Sequence, residues 1–142
     1  MDLLSVKDVS KSYAANVLAL DNVGFSLKTD EFCAIMGTSG SGKTTLLNSI
    51  ATLDAPSKGQ ILFEGVDVAK MSVDEATLFR RNNLGFIFQD YRLLSSLTAK
   101  QNITVALSLL KKTPAEIEKS VTELSQKFEI ASVLDHYPHE LS

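Results

Sequence analysis

Residues 37–44 read Gly37-Thr38-Ser39-Gly40-Ser41-Gly42-Lys43-Thr44. They fit the pattern G-x-x-x-x-G-K-[ST] at every fixed position, and the chemistry of that pattern is the holding of a phosphate chain. Gly37, Gly40 and Gly42 let the backbone fold tightly and turn its N–H groups inward. A helix starting near Lys43 adds a partial positive charge at its N-terminus. The Lys43 ammonium can reach β- and γ-phosphates, and the Thr44 hydroxyl can ligate a magnesium ion. Thr45 completes the candidate binding set. The competing reading is a glycine-rich turn that merely precedes a structural helix.

The motif works only between a strand and a helix. Phe32-Cys33-Ala34-Ile35-Met36 is apolar and reads as the strand feeding the loop. Lys43 to about Thr52 reads as the helix. Upstream, Leu3 to Val9 and Val17 to Leu27 read as strands, with a bend at Asn22. Downstream, Gln60–Phe63 and Val66–Val68 flank Glu64-Gly65 and predict a hairpin. Ser72 with Glu75 forms a capping box that opens a helix to about Asn82. Leu84 to Phe88 reads as a buried strand ending at Gln89. After Gln89 the pattern turns helical. Thr98 with Gln101 predicts one helix start, with Ile103, Leu107 and Leu110 on one face. Thr113-Pro114-Ala115-Glu116 predicts another. Ile117, Val121, Leu124 and Phe128 then recur at helical spacing, a stripe read as core packing.

Composition bounds the rest. The chain has 142 residues, 44% of them hydrophobic, enough for a buried core. Its net charge of −3 offers no basic face for nucleic acid, which is not expected as a partner. Cys33 is the only cysteine, so no intrachain disulfide can form, and an inert core thiol is expected. The opening Met1-Asp2-Leu3-Leu4 lacks the basic and apolar regions of a signal peptide. Ile103 to Leu110 is the longest apolar-rich stretch and is too short to cross a bilayer. A cytoplasmic chain is expected.

A phosphate loop alone allows a kinase, a GTPase, a helicase or a transporter ATPase. Four further features choose among them: Tyr13 in Val9-Ser10-Lys11-Ser12-Tyr13, the run Ala19-Leu20-Asp21-Asn22-Val23, Gln89 after Leu84-Gly85-Phe86-Ile87-Phe88, and the close Glu140-Leu141-Ser142. In order and spacing the chain from Leu3 to Ser142 resembles the nucleotide-binding subunit of ATP-binding cassette (ABC) transporters. EFCAIMGTSGSGKTTLLNSIATLD, FRRNNLGFIFQDYRLLSSLTAKQNI and YPHELS resemble the bacterial branch of antimicrobial-peptide, macrolide and lipoprotein exporters. Ile50-Ala51-Thr52-Leu53-Asp54 leans toward the peptide-resistance members. The chain departs from that pattern at Asp30, usually glycine, at Gly24, often serine, and at Lys58, usually small.

The resemblance implies roles. Tyr13 matches the aromatic residue that stacks on adenine, with the ring and not the hydroxyl as the expected contact; a structural tyrosine beside a turn is the alternative. Gln89 matches the glutamine that contacts magnesium and the attacking water, and is the one catalytic assignment. Tyr91-Arg92-Leu93-Leu94 matches the region that helps form a groove for a helix of the membrane subunit; a plain surface loop is the other reading. His136 and His139 precede the family's signature and are read as ordinary polar residues. Asp54, Asp67 and Asp90 have no motif support as metal ligands.

The implied fold is α/β, a P-loop NTPase of ABC type. It has an N-terminal β-rich subdomain, a P-loop core and the start of a helical subdomain. Residues 1–90 are expected as ATP-binding core and residues 91–142 as Q-loop and helical portion. The family's signature begins Leu-Ser-Gly-Gly-Gln, of which Leu141-Ser142 matches the first two. The Walker B aspartate, the glutamate after it and the switch histidine are not matched within residues 1–142. The expectation is an N-terminal fragment, with the C-terminal part of the core missing, that binds ATP and Mg2+ without turning ATP over. At full length the resemblance implies a homodimer with a second nucleotide-binding subunit, coupled to a membrane permease at the inner face of the membrane. A non-catalytic nucleotide-binding module and another P-loop kinase or GTPase remain the alternatives.

Overall fold

Strand β1 (Asp2–Ala14) begins with inward Leu4 and Val6, and strict alternation would next bury Asp8. Instead Asp8 takes a left-handed φ of 51°, and Val9 becomes the sealed residue. The partner register shows the cause. Val6 faces Phe25 and Val9 faces Val23, so three β1 residues oppose two on β2 (Val17–Lys28). This is a β-bulge, and it keeps an aspartate out of the core while returning valine to it. Strand β3 (Lys58–Phe63) meets the same bulge from the other side, where Lys7 faces Gln60 and Ser10 faces Lys58. Gly59 sits there at φ 88°, and a Cβ on it would lie 2.5 Å from the carbonyl oxygens of both Lys7 and Asp8. Asn22, the expected bend, bulges β2 with φ 49°.

The computed structural model describes residues 2–14 and 17–141. Ser142, the last residue of the Glu140-Leu141-Ser142 match, lies outside the described residues. The chain divides into two units, Met1–Leu84 and Gly85–Ser142.

In the first unit β3 pairs with β4 (Val66–Asp67) through Glu64 and Gly65, both at positive φ. That is the two-residue hairpin expected from the sequence. The sheet runs β2-β1-β3-β4, antiparallel throughout. Leu4, Val6, Val9, Leu20 and Ile61 from its first three strands join Leu46 of α1 (Lys43–Ile50) and Phe79 of α2 (Val73–Asn83) in one core. Sealing a residue such as Ile61 contributes about 1.5–3 kcal/mol. Asp30, where the resemblance expects glycine, holds a left-handed φ of 64°. At Gly24 a Cβ would meet only ordinary contacts, so the usual serine would fit.

Two sequence expectations fail here. Phe32–Met36 and Leu84–Phe88 form no strand; no described segment pairs with either. Phe32 is 95% exposed, Met36 89%, and Ile87 wholly so. A strand is defined by hydrogen bonds to neighbours, and without them an apolar run stays uncovered. Cys33 is therefore exposed, not a core thiol.

The second unit pairs α3 (Ala99–Ser108) with α4 (Pro114–Lys127). Val121 and Ser125 are its buried residues on α4, whereas Phe128, the last member of the expected stripe, lies past the helix end and is exposed. Lys100 bridges to Glu118 at 2.8 Å. The amides of Ala99 and Lys100 donate to the carbonyls of His136 and Leu134, which makes the His136 backbone a cap for α3.

A clamp ties the exit of α1 to β1. The Ser57 amide donates to the Ser10 carbonyl at 2.8 Å, and the Ser12 amide to Ser57 Oγ at 3.1 Å. Lys11 pairs with Asp54 and donates to the Ala55 carbonyl at 2.6 Å. The Lys11 hydrogen bond, followed by one from Tyr13, holds the Asp54 carboxyl below its ordinary range.

Two outcomes follow from this framework. Gly59→Ala should cost about 2 kcal/mol or more, because alanine resists the left-handed region and meets two carbonyls. An unchanged urea midpoint would refute the close approach. Asp54 is ionised more readily folded than unfolded, so its contribution is present above the ordinary carboxylate range. It is lost as pH falls through the folded pKa, below about pH 4. Asp54→Asn should therefore show a shallower acid loss of stability in urea titrations at several pH values; identical profiles would argue against the pairing.

Candidate phosphate-binding site

Helices α2, α3 and α4 all carry a side-chain cap at the N-terminus. Ser72 with Glu75, Thr98 with Gln101 and Thr113 with Glu116 form complete capping boxes. Each cap contributes about 1 kcal/mol by supplying acceptors to unpaired amides. Helix α1 differs. Its N-cap is Gly42, which has no side chain to accept, and its first turn holds no acidic residue. The amides of that turn have no intrahelical partner by geometry, so they remain donors for an external anion.

Gly42 makes this end of the helix possible. It stands at φ 89°, and a Cβ there would collide with the Ala19 carbonyl oxygen of β2. The helix thus starts directly against strand backbone, and Leu46 one turn later is buried in the core. Around that start lies a cavity of about 160 Å³ lined by Ala19, Gly40, Ser41, Gly42, Lys43, Thr44 and Thr45. All but Ala19 of these residues belong to the loop or the first turn of α1.

Lys43 folds back over its own loop. Nζ donates to the Gly37 carbonyl at 3.0 Å and the Thr38 carbonyl at 2.7 Å. An ammonium has three protons; the third finds only Ser41 Oγ at 3.4 Å. The Ser41 amide donates to the Thr38 carbonyl at 3.3 Å and tightens the turn. Thr38 and Ser39 are exposed at its crest, and Thr44 is exposed at the base.

Tyr13 stands on β1 in the same unit, with 56% of its surface exposed. Its hydroxyl is engaged, donating to Asp54 Oδ2 at 2.6 Å. The Lys11 ammonium lies 5.1 Å from the ring centroid. Asp54 had no motif to mark it, because its partners are 41 and 43 positions away.

Gln89 belongs to the second unit. It lies exposed in a turn closed by the Tyr91 amide on the Phe88 carbonyl at 3.2 Å. Tyr91 and Arg92 follow at φ 55° and 50°, and the Arg92 guanidinium lies 4.6 Å from the Phe88 ring centroid. Asn102, another residue that the sequence pattern did not single out, anchors the segment after this turn. Its Nδ2 donates to the carbonyls of Leu94, Leu97 and Thr98, and its Oδ1 accepts from the Leu94 amide at 2.8 Å. Among the described residues no helix is long and apolar enough to cross a membrane.

The comparisons with known proteins agree with this geometry. The family model described as ABC transporter matches residues 20–142. The chain is 42% identical, over 99% of its length, to the macrolide export ATP-binding/permease protein MacB of Campylobacter jejuni, covering 22% of that protein. It is 37% identical, over its whole length, to the bacitracin export ATP-binding protein BceA of Halalkalibacterium halodurans, spanning 57% of it. Among solved structures it is similar to the ATP-binding cassette MJ0796, in a dimer bound to ADP and Pi. The TM-score is 0.87 at 35% identity, covering 98% of this chain and 63% of that one. With an uncapped helix start under a glycine loop and a family match over most of its length, the chain belongs to the ABC transporter family and has the fold of its ATP-binding cassettes.

Proposed function

We propose that this chain binds MgATP at residues 37–45 and is part of the subunit whose ATP binding and hydrolysis drive export or extraction by a membrane permease. The observation that carries this reading is the open N-terminus of α1 beneath the glycine loop, with Lys43 already bent over it. Phosphate oxygens would take the amides of Gly40, Gly42, Lys43, Thr44 and Thr45, while the Ser41 amide stays on the Thr38 carbonyl. Two of the Lys43 protons stay on the Gly37 and Thr38 carbonyls, so the ammonium is held in place before phosphate arrives. Magnesium is a hard ion that takes oxygen ligands, and the resemblance assigns it Thr44 and Gln89. Thr44 would supply a hydroxyl and Gln89 an amide oxygen. When bound, the ion would supply positive charge to offset that of the phosphate chain.

Tyr13 would stack on the base and Gln89 would orient the attacking water. Residues 1–90 would then serve as ATP-binding core and residues 91–142 as Q-loop and helical portion. The names of the relatives support an exporter, and the dimeric cassette supports pairing with a second nucleotide-binding subunit. Attachment to a permease would bring the chain to the inner face of the membrane.

Lys43→Ala should weaken MgATP binding roughly tenfold to a hundredfold, the loss expected for a hydrogen bond to a charged group. Unchanged affinity by calorimetry would remove the loop from the site. The purified 142-residue chain should bind ATP yet release no phosphate above background. Of the groups the resemblance assigns to metal and water activation in hydrolysis, residues 1–142 hold only Thr44 and Gln89, and phosphoryl transfer needs the full set in position. Steady phosphate release abolished by Lys43→Ala would overturn this and point to a base within the chain, with Asp90 beside Gln89 the first to test.

A further inference from the structure

We propose that Asp54 is a positioning residue for the base: it holds the Tyr13 ring, by its hydroxyl, in the attitude that a nucleotide base stacks upon. The inference rests on the stacking role of Tyr13 and deepens it. Tyr13 Oη donates to Asp54 Oδ2 at 2.6 Å, while Lys11 pairs with the other carboxylate oxygen. A hydrogen bond to an ionised acceptor is short and strong. The same Lys11 ammonium lies over the Tyr13 ring, 5.1 Å from its centroid. The ring is therefore held at its tip and against one cation, while the residue stays exposed. A tyrosine without these contacts would lose rotamer freedom each time a base stacked on it.

Asp54 is itself tied by hydrogen bonds to the helix that leaves the glycine loop. It follows α1, the helix that begins at Lys43, by four residues. The amides of Leu53 and Asp54 both donate to the Asn48 carbonyl, at 2.9 and 3.4 Å. Thr52, at a left-handed φ of 57°, receives Arg80 Nη1 on its hydroxyl at 2.8 Å and on its carbonyl at 3.1 Å. One stiff path thus runs from the phosphate end of α1, through the turn, to the Tyr13 hydroxyl. It sets the span between where phosphates and base are held, and the hydroxyl of Tyr13 becomes part of recognition although it touches no nucleotide.

The test is calorimetry on the 142-residue chain with two probes, MgATP and magnesium tripolyphosphate, which has no base. Asp54→Ala and Tyr13→Phe should each weaken MgATP about five-fold, the cost of ordering one unheld side chain on binding, and leave tripolyphosphate unchanged. In a Tyr13→Ala background, Asp54→Ala should bring no further loss. Tyr13→Phe removes one oxygen only, so the proposal stays open to refutation even if Asp54→Ala does not fold. Weakened tripolyphosphate binding would place the role of Asp54 in the loop or the fold and overturn the proposal. Full MgATP affinity in Tyr13→Phe and Asp54→Ala, with a loss in Tyr13→Ala, would overturn it while stacking stands. Full affinity in Tyr13→Ala would remove the stacking role, and the proposal with it.

Discussion

The start of α1 lies closer to the Ala19 carbonyl than any side chain would allow, and the candidate site depends on that contact. Only glycine fits at position 42. Gly42 in turn leaves the helix without a capping side chain. One steric constraint thus fixes where the helix begins, aims its free amides into the loop, and seats Leu46 in the core one turn on. The candidate phosphate cradle and the hydrophobic core share the same eight-residue helix, so neither can shift without the other.

What the sequence made legible was whatever is encoded within a few residues. The phosphate loop is contiguous, and its glycines, lysine and threonine lie where the pattern requires. The three capping boxes span four residues each and open the helices where expected. The Glu64-Gly65 turn announced its hairpin. Less legible was the bulge at Asp8, because an aspartate at an alternating position gives no sign that the backbone will turn it outward. The clamp of Lys11, Tyr13 and Asp54 was invisible for a plainer reason. Its members meet only when β1 and the turn after α1 come together, and no local pattern records that meeting. Asn102 escaped notice in the same way, its role being to satisfy loop carbonyls from within a helix.

The two failed strands teach a different lesson. Phe32–Met36 and Leu84–Phe88 have the composition of buried strands, and composition reports that a surface needs cover. It does not report which segment provides the cover. Hydrogen-bonded neighbours are absent for both among the described residues, and Phe32, Met36 and Ile87 face solvent, while Ile35 and Leu84 rest partly buried against the core. The antiparallel sheet forms because all its partners lie within the first 67 residues.

Helix α1 has little stability of its own. It is short, uncapped and free of favourable charges at either end. Ser49 is buried on it with a hydroxyl that finds no partner, a cost of about 1–3 kcal/mol. Short helices are marginal in water and are held by tertiary packing. Here Leu46 supplies that packing, and the Asp54 clamp and the Arg80 bonds to Thr52 secure the far end. Every device that would stabilise the near end, whether a capping hydroxyl or a first-turn carboxylate, would occupy the donors that the proposed phosphate site leaves free. The helix is therefore stabilised from its C-terminal side and its core face, and the end left unsatisfied is the end proposed to bind.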